Sequence, residues 1–521
     1  MQIHPELKGL IPVKQGVAFR LKTEDRDPFD VALEKYAINE MDHVYIMERT
    51  RALDDLFHHL RNFKNFPLDK RLVTLEEALW GIEGEPTWDA INSSSSPGWP
   101  LNRTSKLKSR LFGEGAIRNK SNPSFGEIAD MVIEIVKAAK DGIRLGHYFT
   151  DNLKDERYPI EKIQKGKVRL FTGSPLSYLL ACRMYFGAFA SWIIANRVNN
   201  GMCIGINEKS AEWSIIAEEL MFKNPKGHVG AGDYSGYDGS EKPEIHWAIL
   251  DFINEWYDDG PVNARVRRVL WYEVVNSQHV VGNITYEWKA SLPSGHPMTI
   301  IINCLYNLIA FRFVYFRIFG VNAMPFARRV KLFVLGDDNI WSVDPTIAGR
   351  MNEMTVPKHM AEFGLVYTTE TKQDTVEEPF RKLSEVEFLK RRFKFSHHLG
   401  FWLCPLRWDV VTEMTNWTKK GEKEMEIWIS NCENALMEAS LHSKEKYRNF
   451  QLLVDKVFNF LGIGDDALNF PLWEPQIDRR LRIYGEPSVV SEQVRDSIPK
   501  AHKVPQDVTT VGKLSSDECD L

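Results

Sequence analysis

Residues 330–343 read Val-Lys-Leu-Phe-Val-Leu-Gly-Asp-Asp-Asn-Ile-Trp-Ser-Val. Two runs rich in β-branched and aromatic residues flank Gly336, Asp337, Asp338 and Asn339, a pattern that predicts a β-hairpin with acids at its tip. Glycine permits the tight turn, and adjacent carboxylates on an apolar hairpin repel one another unless a cation neutralises them. Successive strand residues face opposite sides, so Asp337 is expected to ligate such a cation directly and Asp338 to assist. Asp-Asp-Asn is also ordinary turn chemistry, and on this stretch alone a solvated turn stays open.

A second predicted strand, His228 to Gly232, leads into Asp233-Tyr234-Ser235-Gly236-Tyr237-Asp238. Its two carboxylates are five residues apart, which suits one face of neither a helix nor a strand, so they should do different jobs. The stretch also mimics a calcium loop, with Asp233, Ser235 and Glu244 at ligand positions. Asp238 stands where that loop needs glycine, however, and Pro243 would stiffen its exit. After Ser291-Leu292-Pro293-Ser294-Gly295-His296-Pro297 a long apolar helix is predicted, with Pro297 near its first turn and Thr299, Asn303 and Asn307 recurring every four residues. A polar stripe on a buried helix needs partners. An internal hydrogen-bonded ladder would supply them; a stripe opening from a Ser-Gly loop beside two acidic strand ends favours ligand recognition instead.

The rest of the chain frames this centre. At 521 residues, 43% hydrophobic and 26% charged, it can bury a full core in several lobes, which excludes disorder of the whole. The net charge of −5 means that any nucleic-acid site must be built from local basic segments. Six scattered cysteines without a C-x-x-C pair argue against a disulfide scaffold or zinc finger and for a reducing compartment. The N-terminus lacks an apolar signal segment, and the apolar run Met298 to Gly320 contains Arg312, Arg317, Asn303 and Asn307, so it reads as a buried helix rather than a membrane span. Helical faces are expected at Ile128 to Ala139 and Ile245 to Trp256. Helical pattern returns from Phe401 onward, and a loosely held polar tail follows from about Ser488. The working picture is a basic, loop-rich first lobe, a mixed α/β centre carrying acids, and a helical third lobe. Two segments are conspicuously basic: Lys154 to Arg169, and Arg103 to Lys120 with Arg103, Lys106, Lys108 and Arg110. Either could be a solvated face.

Asp-Tyr-Ser-Gly-Tyr-Asp at 233–238, Ser-Gly-His-Pro-Met-Thr-Ile-Ile-Ile-Asn at 294–303 and Gly-Asp-Asp at 336–338 resemble, in order and spacing, motifs A, B and C of viral RNA-dependent RNA polymerases. Ser96 to Pro100 resembles the early fingers loop of the picornavirus-like group, and Lys154 to Arg157 with Lys165 to Leu170 resembles motif F. Thr371-Lys372 is similar to motif D and Phe388-Leu389-Lys390-Arg391 to motif E. The likeness spans about residues 90–440 and points to picornaviruses, dicistroviruses, iflaviruses and marine relatives. Two departures stand out: Leu335 where many relatives carry Tyr, and His296-Pro297 after the Ser-Gly pair.

The resemblance implies an α/β fold with an α+β palm, a closed right hand of fingers (1–190, with a return at 271–290), palm (191–270 and 291–395), helical thumb (396–487) and polar tail (488–521). It implies template-directed RNA synthesis in a positive-strand RNA virus, with Mg²⁺ as cofactor and Mn²⁺ able to substitute. Asp233, Asp337 and Asp338 would hold the metal, since two-metal phosphoryl transfer needs carboxylates on facing strand ends. Asp238 and Asn303, with Ser294 and Thr299, would read the ribose 2′-hydroxyl. Lys154, Lys167 and Arg169 would meet the triphosphate, and Lys372 would protonate the leaving pyrophosphate. Arg103, Lys106, Lys108, Arg110, Lys390 and Arg391 would contact RNA. Implied partners are template and primer RNA, ribonucleoside triphosphates, a small VPg-like protein primer and other viral replication proteins. The implied location is the host cytoplasm, at membrane-associated replication complexes.

Rival readings are a two-metal nuclease or phosphatase, which needs neither the Asp238/Asn303 pair nor the motif F cations, and a reverse transcriptase, in which the position of Asp238 is usually bulky and apolar. A catalytically silent RNA-binding fold is the third. Asp337→Asn is expected to abolish nucleotide addition while RNA binding stays within about twofold, because the metal site is lost and the basic channel is not; turnover retained in primer extension would remove Asp337 from the centre.

Overall fold

Small residues at alternate positions decide how the central sheet packs. In a computed structural model of the chain, which describes residues 2–3, 15–17, 28–33, 44–113, 122–208, 210–289, 291–372, 376, 378–397, 400–418, 421, 423–462 and 471–478, the strand His228–Ser235 carries Gly230 and Gly232 on one face. A Cβ at Gly230 would lie 2.4 Å from the Trp341 ring and one at Gly232 2.1 Å from the Tyr367 ring, so only glycine lets these aromatics lie flat on the strand. Trp341 Nε1 donates to Tyr367 Oη at 3.1 Å, and Tyr367 Oη donates to Asn339 Oδ1 at 2.8 Å, satisfying the polar atoms of that buried layer.

The sheet runs Val366–Thr369, His228–Ser235, Asp338–Val343, Val330–Leu335, all antiparallel, with Arg381–Lys382 paired to the start of His228–Ser235. The predicted hairpin is present, with Asp338 opposite Leu335. Alternation sends Leu332, Val334 and Trp341 into one apolar core, with the helices Thr299–Phe319 and Val356–Phe363, and Val229, Ala231, Phe333 and Ile340 into another. The first core continues through the helices Leu176–Ala195, Pro243–Tyr257 and Pro261–Val275 into the N-terminal lobe. The second continues from the helix Glu212–Lys223 into the C-terminal helices Glu424–Ala439 and Lys444–Phe460.

A second sheet, ordered Leu170–Gly173, Tyr148–Leu153, Gln278–Val281, Ile284–Glu287, belongs to the N-terminal lobe; its one parallel pairing joins residues 148–150 to 278–280. Gln15–Val17 pairs with Arg157–Pro159 in that lobe, whereas Gln2–Ile3 pairs with Trp417–Thr418 in the C-terminal lobe. The first residues of the chain therefore tie its first lobe to its last, and the Arg157 guanidinium lies 5.9 Å from the centre of the Trp417 ring.

Leu176–Ala195 and Thr299–Phe319 are long and apolar enough to cross a membrane, but 78% and 89% of their most apolar windows are buried inside the protein. The charges in Thr299–Phe319 all have partners. Arg312 Nε lies 3.1 Å from Asp55 Oδ1, and Arg317 bonds Glu362 and Glu48 at 2.9 and 3.2 Å. The helix begins two residues later than the proline suggested. Met298 is its cap and Pro297 lies outside, because the Thr299 N–H turns back onto the His296 carbonyl at 3.0 Å. Phe401–Leu403 is a strand paired with Lys394–Ser396, not the start of the helical lobe; the next helix begins at Trp408. Three residues are too few to declare a period of two. The tail from Ser488 and the basic residues Arg118 and Lys120 lie outside the described residues.

Asp55 also accepts the Phe326 N–H at 3.2 Å and is 6% exposed, beside an Arg312 that is 3% exposed. Asp55→Ala leaves a buried guanidinium uncompensated and is expected to cost about 3 kcal/mol or more; a denaturation midpoint equal to wild type would show that solvent reaches Arg312.

Candidate active site

The hairpin tip is held from beneath by the helix Thr299–Phe319. Gly336, at φ 63°, donates its N–H to Cys304 Sγ at 3.1 Å. Asn307 Nδ2 donates to the carbonyls of Gly336 and Asp337 at 3.0 and 3.3 Å, while its Oδ1 accepts from Tyr234 Oη at 2.9 Å. Asn307 thus locks the turn carrying two acids to the strand carrying the third. It was visible in the sequence only as a member of a polar stripe, since two of its three partners are main-chain carbonyls, which leave no residue-type signature.

Gly232 stands opposite Asn339, so one step along the antiparallel ladder brings Asp233 level with Asp338. The crowding shows in protonation. Asp338 is held up at about 7 by burial first, then by the charges of Asp337 and Asp233; Asp337 is raised by burial, then by Asp233 and, further off, Asp238. Lys372, in the left-handed region at φ 62°, sets Nζ 2.8 Å from Asp233 Oδ2. Burial, followed by the charge of Lys372 and, to a smaller degree, those of Arg169 and Lys167, lowers the pKa of Lys162, which lies within the field of Asp233. Lys372 and Lys162 therefore face Asp233, Arg169 acts on Asp337 and Lys390 on Asp338; Lys162 was passed over among six cations in its segment.

Among the described residues no three acidic, His or Cys side chains gather around one point, so the aspartates form a ledge rather than a closed cage. Their chemistry nonetheless fits a hard divalent cation: the donors are carboxylate oxygens, their charges repel, and an ammonium already stands against Asp233.

Beside the ledge, Asn303 Nδ2 donates to Asp238 Oδ1 at 2.9 Å, and the Tyr237 hydroxyl donates to the Asn303 carbonyl at 2.9 Å. Asp238 faces an amide where Asp233 faces a lysine, so the two carboxylates have different partners. Asn303 Oδ1 is buried without a partner among the described residues. Ser294 Oγ accepts from Thr172 N at 3.1 Å. Thr299 does not join the pair, because its hydroxyl lies 2.7 and 3.0 Å from the carbonyls of His296 and Pro293, where it caps the loop.

Of the expected phosphate contacts, Lys167 is exposed. Lys154 and Arg169 share Glu156 at 3.4 and 3.6 Å with much of their side chains exposed, which aims them without neutralising them fully. Of the expected RNA contacts, Arg103, Lys106, Arg110 and Lys390 are exposed, Arg103 lying 4.2 Å over Trp99. Lys108 and Arg391 are corrections. Lys108 is 6% exposed with Nζ 2.6 Å from Ser95 Oγ, and burial lowers its pKa to about 8. Arg391 bonds Glu438, Glu208 and the Cys404 carbonyl at 2.8, 3.2 and 2.9 Å, so its guanidinium braces the C-terminal lobe rather than facing a ligand.

A sequence model described as viral RNA-dependent RNA polymerase matches residues 28–460. The chain is 33% identical over 401 residues to the replicase polyprotein of acute bee paralysis virus and 34% over 418 to that of Drosophila C virus, covering 75% and 76% of this chain but 21% and 24% of those proteins. It therefore spans under a quarter of the length of these relatives. The genome polyprotein of rice tungro spherical virus is 30% identical over 444 residues, 81% of this chain and 13% of its own length. Among solved structures, the Sicinivirus 3Dpol RNA dependent RNA polymerase has a TM-score of 0.74 at 20% identity, covering 92% of this chain and 95% of that one, and shares its right-hand fold. The chain belongs to the viral RNA-dependent RNA polymerase family.

The raised acid predicts a pH dependence. With an ordinary value of 3.8 and a folded value of about 7, Asp338 is ionised in the unfolded chain but protonated in the folded one between those limits, so stability falls as pH rises through that window. Asp338→Asn is expected to remove this part of the slope in metal-free protein, and Mg²⁺, which favours the ionised acid, to flatten it in wild type. Parallel pH–stability curves for both proteins would show that the carboxyl ionises freely.

Proposed function

We propose that this chain is the catalytic module that replicates the RNA genome of a positive-strand RNA virus, joining ribonucleoside triphosphates to a primer 3′ end on an RNA template. The observation that carries this reading is the Asp238–Asn303 pair, 2.9 Å apart, beside the ledge of Asp233, Asp337 and Asp338. A nuclease or phosphatase has no use for a sugar-reading pair at that place.

Asp233 and Asp337, with Asp338 behind them, would hold two Mg²⁺ ions, or Mn²⁺ in their place, which when bound supply charge neutralisation at the attacking and leaving oxygens. Asp238 would accept a hydrogen bond from the ribose 2′-hydroxyl while Asn303 keeps the carboxylate oriented. Lys154, Lys167 and Arg169 would neutralise the triphosphate. Lys372 holds a proton at Nζ and would pass it to the departing pyrophosphate once the nucleotide, rather than Asp233, faces it. Exposed Arg103, Lys106, Arg110 and Lys390 would track RNA phosphates. Because its relatives are replicase polyproteins of which it spans under a quarter, the chain is proposed to work with other viral replication proteins and a VPg-like primer, at membrane-associated complexes in the host cytoplasm.

Primer extension on an RNA hairpin with Mg²⁺ tests the reading. Template-dependent growth with ribonucleotides, lost in Asp337→Asn, is expected; degradation of the RNA instead would overturn it. Asn303→Ala should lower the preference for ribonucleotides over deoxyribonucleotides by roughly tenfold, the equivalent of one hydrogen bond to a charged group. Unchanged sugar preference would sink the role of that pair.

A further inference from the structure

The loop that carries Ser294 is fastened to a segment that the catalytic reading leaves without a role. Thr172 lies in the strand Leu170–Gly173, three residues beyond Arg169, and is 3% exposed. Its N–H donates to Ser294 Oγ at 3.1 Å, and its Oγ1 accepts the N–H of Gly295 at 2.7 Å, a reciprocal pair of bonds between strand and loop. The approach is closer than any side chain at 295 would allow, since a Cβ on Gly295 would lie 1.9 Å from the Thr172 carbonyl oxygen. One residue further along the loop, His296 Nδ1 accepts the Met298 N–H at 3.1 Å, which leaves the ring proton on Nε2 to be donated to Tyr178 Oη at 2.8 Å. Tyr178 passes its own proton to the Leu270 carbonyl at 2.8 Å, and it stands in the helix that follows the strand.

The opposite end of the same strand is the root of the basic segment. Leu170 pairs with Leu153 and Lys154 N donates to the Arg169 carbonyl at 2.8 Å, so Lys154 and Arg169 leave the sheet side by side. An extended chain rises about 3.3 Å per residue, which puts Thr172 about 10 Å from Arg169 along a rigid, paired strand. With an N–H arriving on its lone pair, the Ser294 hydroxyl keeps its own proton, which under the polymerase reading it would give to the ribose.

We infer that Thr172 is a positioning residue that couples the triphosphate-binding segment to the sugar-reading loop, so that the two ends of the nucleotide are recognised jointly. The inference rests on the polymerase reading. It deepens that reading by assigning sugar selectivity to a contact in the first lobe that touches no nucleotide.

The test is the ratio of kcat/KM for a ribonucleotide to that for its deoxyribonucleotide in single-nucleotide primer extension, with amide exchange at Gly295 as a readout independent of catalysis. Thr172→Val keeps the shape and removes the acceptor. It is expected to speed exchange at Gly295 and to lower the ratio about five- to tenfold, the worth of one buried hydrogen bond. Thr172→Ser, which keeps the hydroxyl, should stay within twofold of wild type, and Thr172→Val added to Ser294→Ala should lower the ratio no further than Ser294→Ala alone. Gly295→Ala should reproduce the loss by forcing loop and strand apart. A Thr172→Val ratio equal to wild type, a Thr172→Ser loss as large as that of Thr172→Val, or losses of Thr172→Val and Ser294→Ala that multiply would each overturn the coupling. Slow Gly295 exchange in Thr172→Val would overturn the contact itself. A wild-type chain that extends no primer would instead sink the polymerase reading, while the exchange experiment still decides the contact.

Discussion

Mutual repulsion among Asp233, Asp337 and Asp338 sets the terms on which the centre of this molecule is built. Burial and neighbouring charge push both hairpin acids toward their protonated forms, and a fold that keeps such a cluster must fix the backbone beneath it and supply positive charge in front of it. Both are present. Cys304, Asn307 and Asn339 bond the main chain of the turn from below, while Lys372 stands directly against Asp233. The glycines at 230 and 232 belong to the same solution, because the close aromatic layer they admit stiffens the strand from which Asp233 projects.

The polar stripe of the long helix shows how one periodic feature is divided among tasks. Thr299 ties down the preceding loop, Asn303 orients Asp238 and Asn307 clamps the acidic turn, so Asp238 and the hairpin acids are held by consecutive turns of one rod. Rigid elements hold such constellations more tightly than loops do, and here the rod is anchored by charges in its own interior, Arg312 to Asp55 and Arg317 to Glu48 and Glu362.

What could be read in the sequence was what depends on local pattern. The hairpin followed from two apolar runs around Gly336, and a spacing that no regular element can place on one face already set Asp233 and Asp238 apart, which in the structure have different partners, Lys372 and Asn303. The burial of Lys108 and Arg391 was not legible, because it depends on distant partners; Glu438 lies 47 residues from Arg391, and a basic residue in a basic stretch looks the same whether it meets solvent or a buried acid. Asn307 and Thr172 escaped for a related reason, since each acts on main-chain atoms brought close only by tertiary packing.

The pairing of Gln2–Ile3 with Trp417–Thr418 has a topological meaning. Residues 2–3 pair with the last lobe and residues 15–17 with the first, so the stretch of chain between the two pairings is a tether: at about 3.3 Å per residue it lets the lobes part by no more than about 40 Å while both pairings hold.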